Sequence, residues 1–128
     1  MMRLEAFQRA RIIRDVPMTE QTTGQKKSRR QMLEEIVAQK PEDAFSRYGL
    51  ALECMNSGDS TAADQHFRVL VERNTGYIPG FQMYGQFLLR ESRVKEARAV
   101  LTAGIDAATK AGNQHARAEM EALLNELL

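Results

Sequence analysis

The sequence predicts an all-α chain. It reads as a solenoid of antiparallel helix pairs, with about two full repeats, a preceding half repeat and a C-terminal capping helix. Three observations carry this. The chain matches itself at an offset of 34 residues, which sets Ala63 on Ala97, Phe67 on Leu101, Leu50 on Tyr84, Ala51 on Gly85, Cys54 on Leu88 and Val71 on Ile105. Large apolar residues meet large ones and small meet small, so Ala44–Tyr77 and Ile78–Ala111 are one unit written twice without a gap. Within each unit, apolar residues recur at helical spacing between Gly, Ser and Asn punctuation. Only three Pro and eight Gly interrupt the 128 residues, and aromatics make up 6%, so Leu, Ala and Met must form the core.

Each unit has an inner logic. A small residue late in the first helix (Ala51, Gly85) faces one early in the second (Ala63, Ala97), which lets two antiparallel helices approach closely. The motifs are Arg47-x₂-Leu50-Ala51-x₂-Cys54 followed by Ala63-x₃-Phe67, and Phe81-x₂-Tyr84-Gly85-x₂-Leu88 followed by Ala97-x₃-Leu101. They resemble the tetratricopeptide repeat (TPR), whose pattern is W-x₂-L-G-x₂-Y…A-x₃-F…P. The resemblance implies a right-handed α-solenoid. The departures are specific. Arg47 stands where an aromatic is usual, which predicts weaker packing at the front of the first unit. Gly104 lowers local helix propensity by roughly 1 kcal/mol. Thr75 and Thr109 replace the closing Pro.

In chain order, residues 1–30 hold eight Lys and Arg against three carboxylates, a net of +5 that leaves −4 for the rest. Residues 1–27 therefore read as a basic N-terminal extension, disordered or loosely helical, ahead of a repeat domain over 28–128. Leu4, Phe7 and Arg11 share one side of a short helical segment that Pro17 would end, and Thr19–Lys27 reads as a polar linker. Two other readings compete for the first 17 residues: upstream translation before an initiator at Met18, or targeting by a basic helix. No apolar core of a secretory signal is present. Ser28–Lys40 is the second helix of a truncated unit, with Leu33, Ile36 and Val37 as its apolar face and Ser28 and Gln31 as a capping box. Pro41 falls in register with Thr75. Helices then follow near Ala44–Asn56, Thr61–Arg73, Pro79–Glu91 and Val94–Thr109. Gly58 supplies a left-handed stop, and Ser60 and Ser92 are the expected N-caps. Residues Asn113–Leu128 keep the period but stop after one helix. Ala116, Met120, Leu123, Leu124 and Leu127 form its apolar stripe, and Arg117, Glu119, Glu121 and Glu126 its polar outer face. Leu127 and Leu128 would either fray or pack on a second copy.

Catalytic chemistry is not written here. His66 and His115 are the only histidines, and His66 is expected on an outward part of its helix. No His, Cys or carboxylate cluster has metal-ligand spacing. Gly24-Gln25-Lys26-Lys27-Ser28 lacks the glycines of a phosphate loop. The Lys26–Arg30 cluster could touch phosphates, but the acidic body would repel them, so nucleic acid is a distant reading. The lone Cys54 cannot form an internal disulfide, fits a reducing, cytoplasmic setting, and reads as a buried apolar residue. No apolar run approaches a membrane span.

The resemblance implies a non-catalytic protein–protein interaction module or scaffold, without cofactor or metal. Its partner would be a protein or peptide held in the concave groove lined by the first helix of each unit. Carried over by register, the groove positions are Phe45, Tyr48, Leu52, Met55 and Asn56, then Gln82, Gln86, Leu89 and Arg90. Leu52 and Leu89 read equally well as core, whereas Phe45, Tyr48 and Met55 form an apolar patch of the kind that marks a binding surface. Lys is missing from these positions, so a carboxylate clamp is not expected; Asn56 and Arg90, in equivalent positions, could bind a partner backbone or carboxylate. The alternative function is a structural, self-assembling homodimer that uses the terminal Leu face.

Overall fold

A computed structural model describes residues 26–127. The readings of the amphipathic segment, of the Met18 start and of most of the polar linker lie outside the described residues, as does Leu128. Among the described residues six helices follow one another: α1 (Arg29–Gln39), α2 (Ala44–Asn56), α3 (Ser60–Arg73), α4 (Ile78–Arg90), α5 (Val94–Ala111) and α6 (Gln114–Asn125). None of them is long and apolar enough to cross a membrane.

The helix starts show how local chemistry fixes the boundaries. Ser28 and Gln31 form the expected capping box. The Gln31 amide donates to the Ser28 hydroxyl at 3.1 Å, and the Ser28 amide donates to Gln31 Oε1 at 2.9 Å. Asp43 caps α2 by accepting from the Ser46 amide at 3.0 Å, and the Ser46 hydroxyl also donates to it. The cap of α3 differs from the sequence expectation. Asp59, not Ser60, keeps a non-helical backbone and accepts from the Ala62 amide at 3.2 Å. Ser60 is already inside the helix, where its hydroxyl can no longer reach back over the first amides.

Ser92 is a second correction. It does not cap α5, because it sits one residue too early, with Arg93 in the cap position and no side-chain capping bond. Ser92 has φ 63°, and Gly58, its equivalent one unit earlier, has φ 84°. The tight turn inside each helix pair therefore demands a left-handed residue at this register. The first unit supplies it with Gly and the second with Ser, at a steric cost. At the other end, α5 runs two residues beyond the expected Thr109 and stops at Gly112, whose φ is 70°.

Packing is pairwise. α2 lies against α3, α4 against α5, and α6 against α5, with α1 resting on α2. One apolar cluster gathers Val37, Leu50, Ala51, Cys54, Ala63, Phe67, Tyr84, Phe87, Leu88 and Ala97, and so joins the two units. Phe67 stacks on Tyr84 with centroids 5.5 Å apart. The Tyr84 hydroxyl donates to Asp64 at 2.7 Å, and Arg93 closes the same carboxylate at 3.0 Å. Burial opposes charge on Asp64, but the hydrogen bonds from Tyr84 and Arg68 and the charge of Arg93 hold its pKa below the usual range.

A second cluster of Ile78, Phe81, Leu101, Ala108, Ala116 and Met120 seats α6, with Leu123 and Leu127 packed against it. Leu127 is thus packed on its own chain. Close approach explains the glycine that propensity disfavours. A Cβ on Gly104 would lie 2.6 Å from Met120 Sδ and 2.7 Å from Phe81 Cβ. Gly104 is small because α4 and α6 both press on α5 there.

Arg47 departs from the expectation of a loosely packed front. It is only 8% exposed, and its Nη2 donates to the Pro41 carbonyl at 3.2 Å. Its Nη1 lies 3.5 Å from His66 Nδ1, and its Nε has no hydrogen-bond partner. The long guanidinium fills the volume of the missing aromatic. His66 is accordingly half-buried against Arg47, not outward-facing.

Candidate partner-binding groove

The first helices α2 and α4 and the terminal helix α6 share one side of the stack. Between them lies a cavity of about 330 Å³, lined by Tyr48, Ile78, Pro79, Gln82, Met83, Gln86, Asn113, His115, Ala116 and Glu119. Three residues assigned from sequence, Tyr48, Gln82 and Gln86, come together here. Tyr48 is half-buried, with its ring edge-on to Tyr77 at a centroid distance of 5.5 Å, and burial raises the pKa of its phenol. Gln82 Nε2 donates to Glu119 Oε1 at 3.1 Å, which ties α4 to α6. His115 Nε2 stands 3.4 Å from the same oxygen and pairs with it when protonated.

The other assigned residues fall outside this cavity. Phe45 is 73% exposed at the start of α2. Leu52, Met55 and Leu89 are partly buried against the first core cluster, so the core reading of Leu52 and Leu89 has direct packing behind it. Asn56 is exposed, and Arg90 Nη2 donates to Met55 Sδ at 3.0 Å. That contact closes the far end of the row with a side chain of its own.

Seven of the ten lining residues were not assigned from sequence: Ile78, Pro79 and Met83 of α4, and Asn113, His115, Ala116 and Glu119, which belong to α6 or its cap. A signal existed. Extending the 34-residue register once more sets Tyr48 on Gln82 and Gln82 on Ala116. α6 is therefore the first helix of a third unit and must line the same face as α2 and α4.

At the other candidate sites most of the charges are already paired. A cavity of about 440 Å³ between α3 and α5 is lined by Val71, Thr75, Phe81, Ala103, Asp106, Ala107 and Lys110. Its two charges pair with each other at 3.1 Å. In the basic cluster, Lys27 pairs with Glu35, Arg29 with Glu53, and Arg30 with Glu34 and Asp59. Cys54 is fully buried, and burial pushes its thiol pKa up, away from the nucleophilic thiolate. Among the described residues, no three His, Cys, Asp or Glu side chains lie close enough to hold a metal ion.

No protein-family model matches the chain. A TPR repeat-containing protein of Pseudomonas aeruginosa is 27% identical over 95 residues, spanning 74% of this chain and 90% of the relative. The solution structure of a tetratricopeptide repeat domain protein from Salinibacter ruber superposes with a TM-score of 0.65 at 28% identity, covering 69% of this chain and 89% of that one. The chain is thus similar, in sequence and in fold, to tetratricopeptide repeat proteins. A Bordetella parapertussis protein superposes with a TM-score of 0.66 over 80% of this chain and 89% of its own; at 22% identity it speaks for the fold alone. Within this TPR-like array, α2/α3 and α4/α5 are the full units, α1 the second helix of a preceding unit, and α6 the first helix of a following one.

Proposed function

We propose that this chain is a non-catalytic interaction module that docks a protein segment in the concave groove formed by α2, α4 and α6. The observation that carries this reading is the cavity of about 330 Å³ into which Tyr48, Gln82 and Gln86 converge with the terminal helix. Its floor is apolar (Ile78, Met83, Ala116), and its walls offer amides and one phenol. That combination suits a peptide, whose backbone needs hydrogen-bond partners and whose side chains need apolar seats. The TPR fold supports a protein partner by likeness, and the groove supports it by chemistry.

The test is affinity capture with the wild-type chain and with a Tyr48→Ala/Gln86→Ala double variant. Both positions are only partly buried, so the variant should keep the wild-type helical circular dichroism. Loss of captured partners by the folded variant is the expected result. Equal capture by both proteins would remove the groove from the function.

Self-association is the second reading, and one observation favours it. α1 exposes Met32 and Ile36 by 49% and 40%, an apolar pair on the first of the described helices. Light scattering over a range of concentrations separates the readings, since only self-association makes the mass rise with concentration.

A further inference from the structure

The groove has a sign. Among its lining residues Glu119 carries the only full charge, and neither Lys nor Arg is present. Glu119 Oε1 already accepts from Gln82. Its second oxygen has no hydrogen bond from another described residue. Across the same cavity stands Tyr48, an aromatic ring whose face attracts cations.

Resting on the groove reading above, we propose that the occupant is a peptide segment bearing a lysine or arginine next to an apolar residue. Its cation pairs with Glu119 Oε2 beside the Tyr48 ring, and its apolar neighbour seats on Met83 and Ile78. The basic head satisfies the one unspent charged acceptor of the wall and leaves Gln86 free to bind the segment's backbone. Selection works by exclusion as well as attraction. An acidic segment would bring a like charge against Glu119, with no Lys or Arg in the wall to offset it and only His115, when protonated, beside it.

The probe is a random library of short displayed peptides, selected on the full-length chain. Counter-selection on the Tyr48→Ala/Gln86→Ala variant retains only groove-dependent binders. The expected outcome is enrichment of Lys or Arg adjacent to Leu, Ile, Met or Phe. Glu119→Gln should weaken those peptides by about twofold to fivefold, because the carboxylate is half exposed and its pairing is screened. Replacing the peptide's basic residue with norleucine should cost the same factor on wild type and nothing further on Glu119→Gln. Groove-dependent peptides that are neutral or acidic, or that ignore Glu119→Gln, would overturn the cationic class while leaving the groove standing. If no peptide depends on the groove, both readings fail together. Glu119 is exposed at the surface of α6, so its replacement leaves the core untouched.

Discussion

At the scale of single residues, two positions hold unfavourable states that a substitution can relieve or expose. Ser92 adopts φ 63° where its equivalent Gly58 adopts 84°. A serine in the left-handed region carries a steric cost of about 1–2 kcal/mol that glycine avoids, partly offset by the extra freedom glycine gains when unfolded. Ser92→Gly should therefore raise stability by about 0.5–1 kcal/mol in urea unfolding, with an unchanged slope against denaturant. His66 is the second case. Burial, and then the positive charge of Arg47, push its pKa below the ordinary 6.5. The unfolded chain then binds the proton more readily than the folded one. Stability contributed by neutral His66 is complete above pH 6.5 and falls as pH drops from there toward the lowered folded value. A urea midpoint series from pH 8 to 5 should decline over that window, and His66→Gln should flatten this part of the decline. Arg47 shows where residue-level reading fell short. The sequence marks it as a departure, but only the packing reveals that a long guanidinium can occupy an aromatic's place while its Nε is left without a partner.

At the scale of the helices, the 34-residue register located all six, because large and small apolar residues alternate in a pattern that only paired helices use. The errors in helix boundaries were confined to turns. In both units the left-handed residue (Gly58, Ser92) is followed by one cap residue (Asp59, Arg93) and then the helix, and neither Ser60 nor Ser92 announces its place in that step by type. α6 was legible as a cap but not as a groove wall, because its polar residues read as a solvating face. Glu119 belongs to that face and to the cavity together. The attachment of α6 rests on Met120, which is fully buried and touches the site of Gly104. Met120→Ala should cost about 2–4 kcal/mol. Because α6 contacts mainly α5, amide exchange should accelerate most in α6 and less in α2 and α3.

For the whole molecule, repeats that contact mainly their sequence neighbours give a stability that varies along the stack. α1 has one buried residue, Val37, whereas α4 has seven in the middle of the array. Hydrogen exchange should therefore find the least protected helical amides of the described region in α1 and the best protected in α4, with α1 opening below the global unfolding free energy. Uniform protection across all six helices would mean a single cooperative unit. The two ends are also unlike in chemistry. Arg117 and Glu126 face solvent on α6, whereas Met32 and Ile36 face it on α1. The stack is thus directional, like a wall with its coping laid at one end and bare brick toothing at the other. A designed helix spliced ahead of α1 would meet a ready apolar seam, whereas lengthening past α6 would first require stripping its charged facing. Among the described helices, extension of this array is therefore chemically easier at α1 than at α6.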